Sequence, residues 1–124
     1  MRAVLEGVAN RGADLVESAE TDGSVSIPRL RIDGGMSANP TFVQALADAS
    51  QRPIEVSPVL EATTLGAAFL AGLAIGTWAD EEEVADTWSP DRVVEPARRT
   101  DRDQWRDAVQ RAERWIPDLS ALDF

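Results

Sequence analysis

The 124 residues contain no cysteine, no histidine and no lysine. Without histidine and cysteine there can be no zinc site of the usual ligands, no Ser-His triad, no thiol nucleophile and no disulfide. Without lysine there can be neither a P-loop lysine nor a Schiff-base lysine. All 12 basic residues are arginine, set against 22 Asp and Glu, for a net charge of −10. That balance excludes a nucleic-acid binder, which needs clustered cations to neutralise phosphates, and an anionic membrane surface as partner. A long hydrophobic run is also missing: the most apolar stretch, Leu65 to Ile75, is too short and too rich in Ala and Gly to cross a bilayer. Met1 leads straight into a helical pattern with no targeting segment, so a soluble, cytoplasmic chain is expected. The absence of cysteine suits that reducing compartment.

What is present is a chain of one-domain length, 44% apolar and therefore able to bury a core. Val4, Leu5, Val8, Gly12, Leu15 and Val16 recur at helical spacing, predicting a helix over 3–18. Asp22-Gly23-Ser24 is turn chemistry. Pro28 to Asp33 alternates as a short strand and stops at Gly34-Gly35. Asn39 followed by Pro40 is a helix start, with Phe42, Val43, Leu46, Ala47 and Ala49 as its apolar face. Pro53 to Ser57 reads as a second strand. Leu65 to Ile75 is a helix apolar or small all round, expected to be buried on every side and closed by Gly76. Glu81-Glu82-Glu83 opens a short acidic helix and complements its dipole. Residues 93–96 are extended. A last helix from Asp101 to Trp115 carries Trp105, Ala108, Val109, Ala112 and Trp115 on one stripe and is followed by Pro117.

This order is α/β, yet only two strands can be counted, and two parallel strands do not make a stable sheet. A helix apolar on all faces also needs more partners than the chain supplies. Either further strands escape the pattern or the chain is part of a larger fold. The chemically informative stretch is Leu30-Arg31-Ile32-Asp33-Gly34-Gly35-Met36-Ser37-Ala38-Asn39-Pro40. A strand ending in two glycines and feeding a helix start suits a nucleotide phosphate, since missing Cβ atoms let an anion approach backbone amides. The same pattern also fits a plain tight turn, with Asn39 only a helix cap. Asp33 is expected to accept local backbone amides rather than hold a metal, and Arg98-Arg99 to form a surface of ion pairs. Trp105 and Trp115 are expected to be packing anchors.

Residues 30–78, from Leu-Arg-Ile-Asp-Gly-Gly-Met-Ser-Ala-Asn to Glu61-Ala-Thr-Thr-Leu-Gly-Ala-Ala-Phe-Leu-Ala-Gly-Leu-Ala-Ile-Gly-Thr-Trp78, resemble the C-terminal domain of the FGGY carbohydrate kinases. The helices Arg2–Ser18 and Trp105–Trp115 extend the resemblance to nearly the whole chain, residues 86–100 matching least. The resemblance implies an actin-like, ribonuclease-H-like ATPase fold, of which this chain is an incomplete fragment. Residues 1–124 then form one C-terminal nucleotide-binding segment, with 1–78 as its α/β part and 79–124 as an acidic linker and terminal helix. It implies that Gly34 and Gly35 lie against the sugar and phosphates of ATP or ADP and that Asn39 reaches the adenine. Met36 departs from the family by being bulkier than the small residue expected. The implied reaction passes the ATP γ-phosphoryl group to a polyol hydroxyl, of glycerol or, as the alternative, of a pentulose. The aspartate base, the phosphate loops, the polyol site and most of the Mg2+ binding belong to a missing N-terminal domain. No catalytic residue and no metal ligand is therefore assigned within this chain. A non-catalytic folding or homo-oligomerisation module is the reading from another class.

Overall fold

In the computed structural model, which describes residues 1–113, three short strands and four longer helices account for most of the chain. Helix α1 (Arg2–Gly23) runs five residues past the predicted end, through the turn-like Asp22-Gly23, and stops where Ser24 turns left-handed at φ 49°. Strand β1 (Leu30–Ile32) leads into a single 3-10 turn (Gly35–Ala38), and α2 (Pro40–Ser50) follows. Strand β2 (Ile54–Val56) lies parallel to β1, with α2 as the crossover between them. Then come α3 (Ala62–Ala74), the short α4 (Glu81–Asp86), β3 (Arg92–Val94) and α5 (Arg102–Ala112). Trp115 and Pro117 lie outside the described residues.

The third strand corrects the count of two. β3 pairs antiparallel with β2, giving the order β1-β2-β3. At three residues bounded by Pro90 and Pro96 it is too short to show an alternation, so the sequence identified only an extended segment. Period-2 geometry puts Leu30, Ile32, Ile54, Val56 and Val94 on the face covered by α2. These residues join Ala9, Val43, Leu46 and Ala47 in the core. On the opposite face Glu55 is buried between Arg29 and Arg31, at 2.8 and 3.0 Å, and Arg31 stacks 4.0 Å from the Trp88 ring centre.

The predicted apolar stripe of α1 is only partly the buried one. Val4, Val8 and Leu15 are exposed, whereas Ala9, Asn10 and Ala13 are buried. Small residues set this contact because α1 and α2 approach closely: a Cβ on Gly12 would lie 3.0 Å from Leu46 Cδ1. The expectation for α3 is overturned within this chain. Only Gly72 is buried, and Leu70 and Ile75 are 70% and 82% exposed. The helix packs instead on its own C-terminal extension, where Trp78 folds back edge-on to Phe69 (5.3 Å between ring centres) and over Gly72. Gly76, left-handed at φ 79°, closes α3 as predicted: Thr77 N–H bonds Gly72 C=O and Gly76 N–H bonds Leu73 C=O.

The segment after β3 is fastened by polar groups. Asp48, buried on α2, accepts from the amides of Ala97 (2.8 Å) and Arg98 (3.2 Å), from Arg98 Nε (3.1 Å) and from Gln44 Nε2 (3.0 Å). Burial pushes this carboxyl up, but the donated bonds outweigh it and hold its pKa below the ordinary value. Arg98 also reaches Glu6, so half of the expected Arg98-Arg99 ion-pair surface is present; Arg99 makes no ion pair among the described residues. Helix α5 docks through Arg102, which donates to Asn10, Asp14 and Glu17 of α1, and through Trp105 Nε1, 3.0 Å from Asp14. Of its predicted apolar stripe, Trp105 and Val109 are half-buried, while Ala108 and Ala112 are exposed.

Candidate functional site

The glycine turn stands at the carboxyl end of parallel strand β1, the end at which open α/β sheets take ligands. Asp33 there is exposed and accepts no hydrogen bond among the described residues, contrary to the expectation of local amide donors. Gly34 adopts φ 78°, ψ 176°, a conformation reserved for glycine. Its carbonyl accepts both Ser37 N–H (3.0 Å) and Ser37 Oγ–H (2.7 Å), which closes the 3-10 turn. Ser37 is thereby buried, at 1% exposure, while Met36 remains partly exposed. The first amide bonded within the turn is that of Ser37, so the Gly35 and Met36 N–H groups come before the hydrogen-bonded run.

Gly35 differs from Gly34 in a telling way. Its φ is not positive, and a Cβ built on it would meet nothing within 4 Å. Gly34 is also open on its Cβ side, but its backbone conformation alone explains the residue. Among the described residues nothing requires a glycine at position 35. An unfilled face over a glycine with free amides is the geometry that lets a ligand phosphate or sugar rest against backbone.

Asn39 caps α2 through its Oδ1, which accepts from Thr41 N (3.0 Å) and Phe42 N (3.3 Å), and Pro40 occupies the first helical position. The cap fixes which edge of the carboxamide faces the helix. The Nδ2 donor is left with no partner among the described residues. The structure thus brings Gly34, Gly35 and Asn39 together on one turn of six residues. One contributor lies beyond the sequence reading: Arg92 Nη2 donates to the Ser37 carbonyl at 2.7 Å across 55 positions of sequence. A pairing that distant has no local signal.

Other polar features are accounted for by the fold. A cleft of about 500 Å3 lies between α1, α2 and α5, but Asp48, Arg98 and Glu6 on its walls are already paired with one another. Asp80 and Glu83 form a reciprocal cap on α4, with Glu83 N–H on Asp80 Oδ1 (2.9 Å) and Ala79 N–H on Glu83 Oε2 (2.6 Å). Among the described residues no three Asp or Glu are placed to hold a metal ion, and no helix is long and apolar enough to cross a membrane.

A glycine turn at the carboxyl end of a parallel strand, with a capped helix beyond it, marks the chain as part of a mixed α/β domain. Residues 1–75 match the C-terminal domain of the FGGY family of carbohydrate kinases, and the chain belongs to that family. It is 42% identical over 120 residues to glycerol kinase 2 of Thermotoga maritima and 39% identical to the glycerol kinase of Caldanaerobacter subterraneus, in each case over 93% of this chain. It spans only 24% of the length of those relatives. Among solved structures, glycerol kinase of Plasmodium falciparum with ADP superposes with a TM-score of 0.70 at 31% identity, over 99% of this chain and 24% of that one. Xylulose kinase of Lactobacillus acidophilus superposes with a TM-score of 0.69 at 21% identity, a likeness of fold alone. The chain therefore has the actin-like ATPase fold of these kinases and is a fragment of it.

Proposed function

We propose that this chain is the nucleotide-binding C-terminal part of a glycerol kinase, holding ATP or ADP against the Gly34–Asn39 turn while the rest of the enzyme supplies the chemistry. The observation that carries the proposal is Gly35, a residue whose missing side chain serves no contact within the fold. Gly34 and Gly35 receive the sugar and phosphates, and the unpartnered Nδ2 of Asn39 donates to an acceptor nitrogen of adenine. In a chain of net charge −10, neutral backbone amides rather than clustered cations are the available phosphate ligands. Glycerol is preferred to a pentulose as acceptor because, on superposition, the glycerol kinase is 31% identical to this chain against 21% for the xylulose kinase.

Phosphoryl transfer works by positioning an acceptor hydroxyl in line with the γ-phosphoryl and stabilising the charge that spreads over it. In the proposal, the aspartate that takes the hydroxyl proton and the residues that bind Mg2+ and glycerol come from the polypeptide missing here. The nucleotide and that missing domain are the chain's partners, and a cytoplasmic setting goes with the proposal. The exposed apolar residues of α3 and the outer edge of β1, unpaired among the described residues, support the need for that second part. An assay of ATP-dependent glycerol phosphorylation tests this. No turnover is expected from the purified chain, with turnover appearing when the chain is joined to a family N-terminal domain. Turnover by the chain alone would overturn the division of labour. Self-association through α3 without any response to nucleotide would favour the oligomerisation module.

A further inference from the structure

The Ser37 carbonyl poses a specific problem. In a 3-10 or α-helical continuation it would accept from the amide three or four residues on. Three on is Pro40, which has no N–H, and four on is Thr41, whose N–H is taken by Asn39 Oδ1. The proline and the cap that start α2 so well leave this buried residue's carbonyl without a local donor. Arg92 supplies it, with Nη2 at 2.7 Å.

The sheet delivers Arg92 to this spot. β3 runs antiparallel to β2, so its first residue lies at the carboxyl ends of the two parallel strands, in register with Val56 and through it with Ile32. Ile32 is the last residue of β1, just before the glycine turn. Arg92 also shares its sheet face with Val94, the face toward α2, rather than pointing to the Arg31–Glu55 side. A register slip of one residue would put Val93 there and send Arg92 to the other face.

We infer that Arg92 is the positioning residue of the glycine turn, standing in for the proton Pro40 lacks and holding Gly34–Ala38 in the shape that receives the nucleotide. The inference rests on the nucleotide reading above. Arg92 acts through Ser37 and need not touch the ligand.

The test compares the 124-residue chain with Arg92→Met and Arg92→Lys, reading ADP affinity from amide shifts and turn order from hydrogen exchange without ligand. In Arg92→Met, ADP affinity is expected to fall about tenfold, the scale of one charge-assisted bond. Exchange at the Ser37 and Asn39 amides should quicken by a similar factor while the α2 amides of Leu46 and Ala47 are unchanged. Arg92→Lys, which still donates, should restore most of both. ADP binding by Arg92→Met as tight as by the unsubstituted chain would overturn the inference. So would faster exchange spread through α2, the mark of a general fold defect. A lack of ADP response in the unsubstituted chain would instead overturn the nucleotide reading, and the role of Arg92 toward it.

Discussion

In the proposed nucleotide site, Asn39 would serve two roles through its two side-chain atoms. Oδ1 is committed to the start of α2, and Nδ2 has no partner among the described residues. Asn39→Asp separates them, because aspartate caps as well as asparagine but cannot donate. Thermal stability is expected to hold within about 0.5 kcal/mol while ADP affinity drops; an equal loss of both would make Asn39 a cap alone. Asp48 was legible only as a polar residue on a helix, since its amide donors lie 49 and 50 residues away. Replacing it with alanine strands two amides and Arg98, and should cost about 2–4 kcal/mol in denaturant titration. The acidic limb of stability follows from the same groups. Arg29 and Arg31 hold Glu55, the Ile27 amide and Arg52 hold Glu20, and bonds from Ala97, Gln44 and Arg98 outweigh burial at Asp48, so all three titrate below their ordinary values. Depressed carboxyl pKa values stabilise the fold above the unfolded values and lose that contribution as pH falls through the folded ones. With no histidine, the thermal midpoint should be level from about pH 6 to 8 and fall steadily below about pH 4.5. A step near pH 6.5 would contradict this.

At the scale of elements, the sequence revealed what local chemistry controls. The Asn39-Pro40 start of α2, the Gly76 end of α3, the capped α4 and the alternation of β1 and β2 all depend on neighbours a few residues apart. β3 escaped because three residues carry no period and its strand state depends on pairing with β2. The buried stripe of α1 escaped in part because close helix packing selects Ala9 and Ala13 beside the predicted Gly12, small residues that hydrophobic patterning underweights. α3 was read correctly as a helix, but its expected burial is absent, since no described residue covers most of its apolar surface. Leu70→Gln with Ile75→Gln should therefore leave the isolated chain's stability within about 0.5 kcal/mol and reduce its self-association, measured by sedimentation. A large loss of stability would mean that α3 is already packed in solution.

The molecule as a whole carries a net charge of −10 on 124 residues, with 22 acidic residues against 12 arginines. Self-repulsion of that charge is screened by salt, so the melting temperature should rise from dilute buffer to molar KCl, and no rise would count against a chain suited to saline conditions. The nucleotide proposal for the glycine turn draws its strongest support from the described surroundings: open space over Gly35 and an Asn39 Nδ2 with no partner among the described residues. The most direct test is an ADP titration of the isotope-labelled chain beside Gly35→Val, a substitution the fold is expected to tolerate because no heavy atom of the described residues beyond its chain neighbours lies within 4 Å of an added Cβ. The account predicts amide shifts centred on Gly34, Gly35 and Asn39 in the unsubstituted chain, and their loss in a Gly35→Val chain of unchanged stability. No shift at millimolar ADP, or equal shifts in both chains, would contradict it.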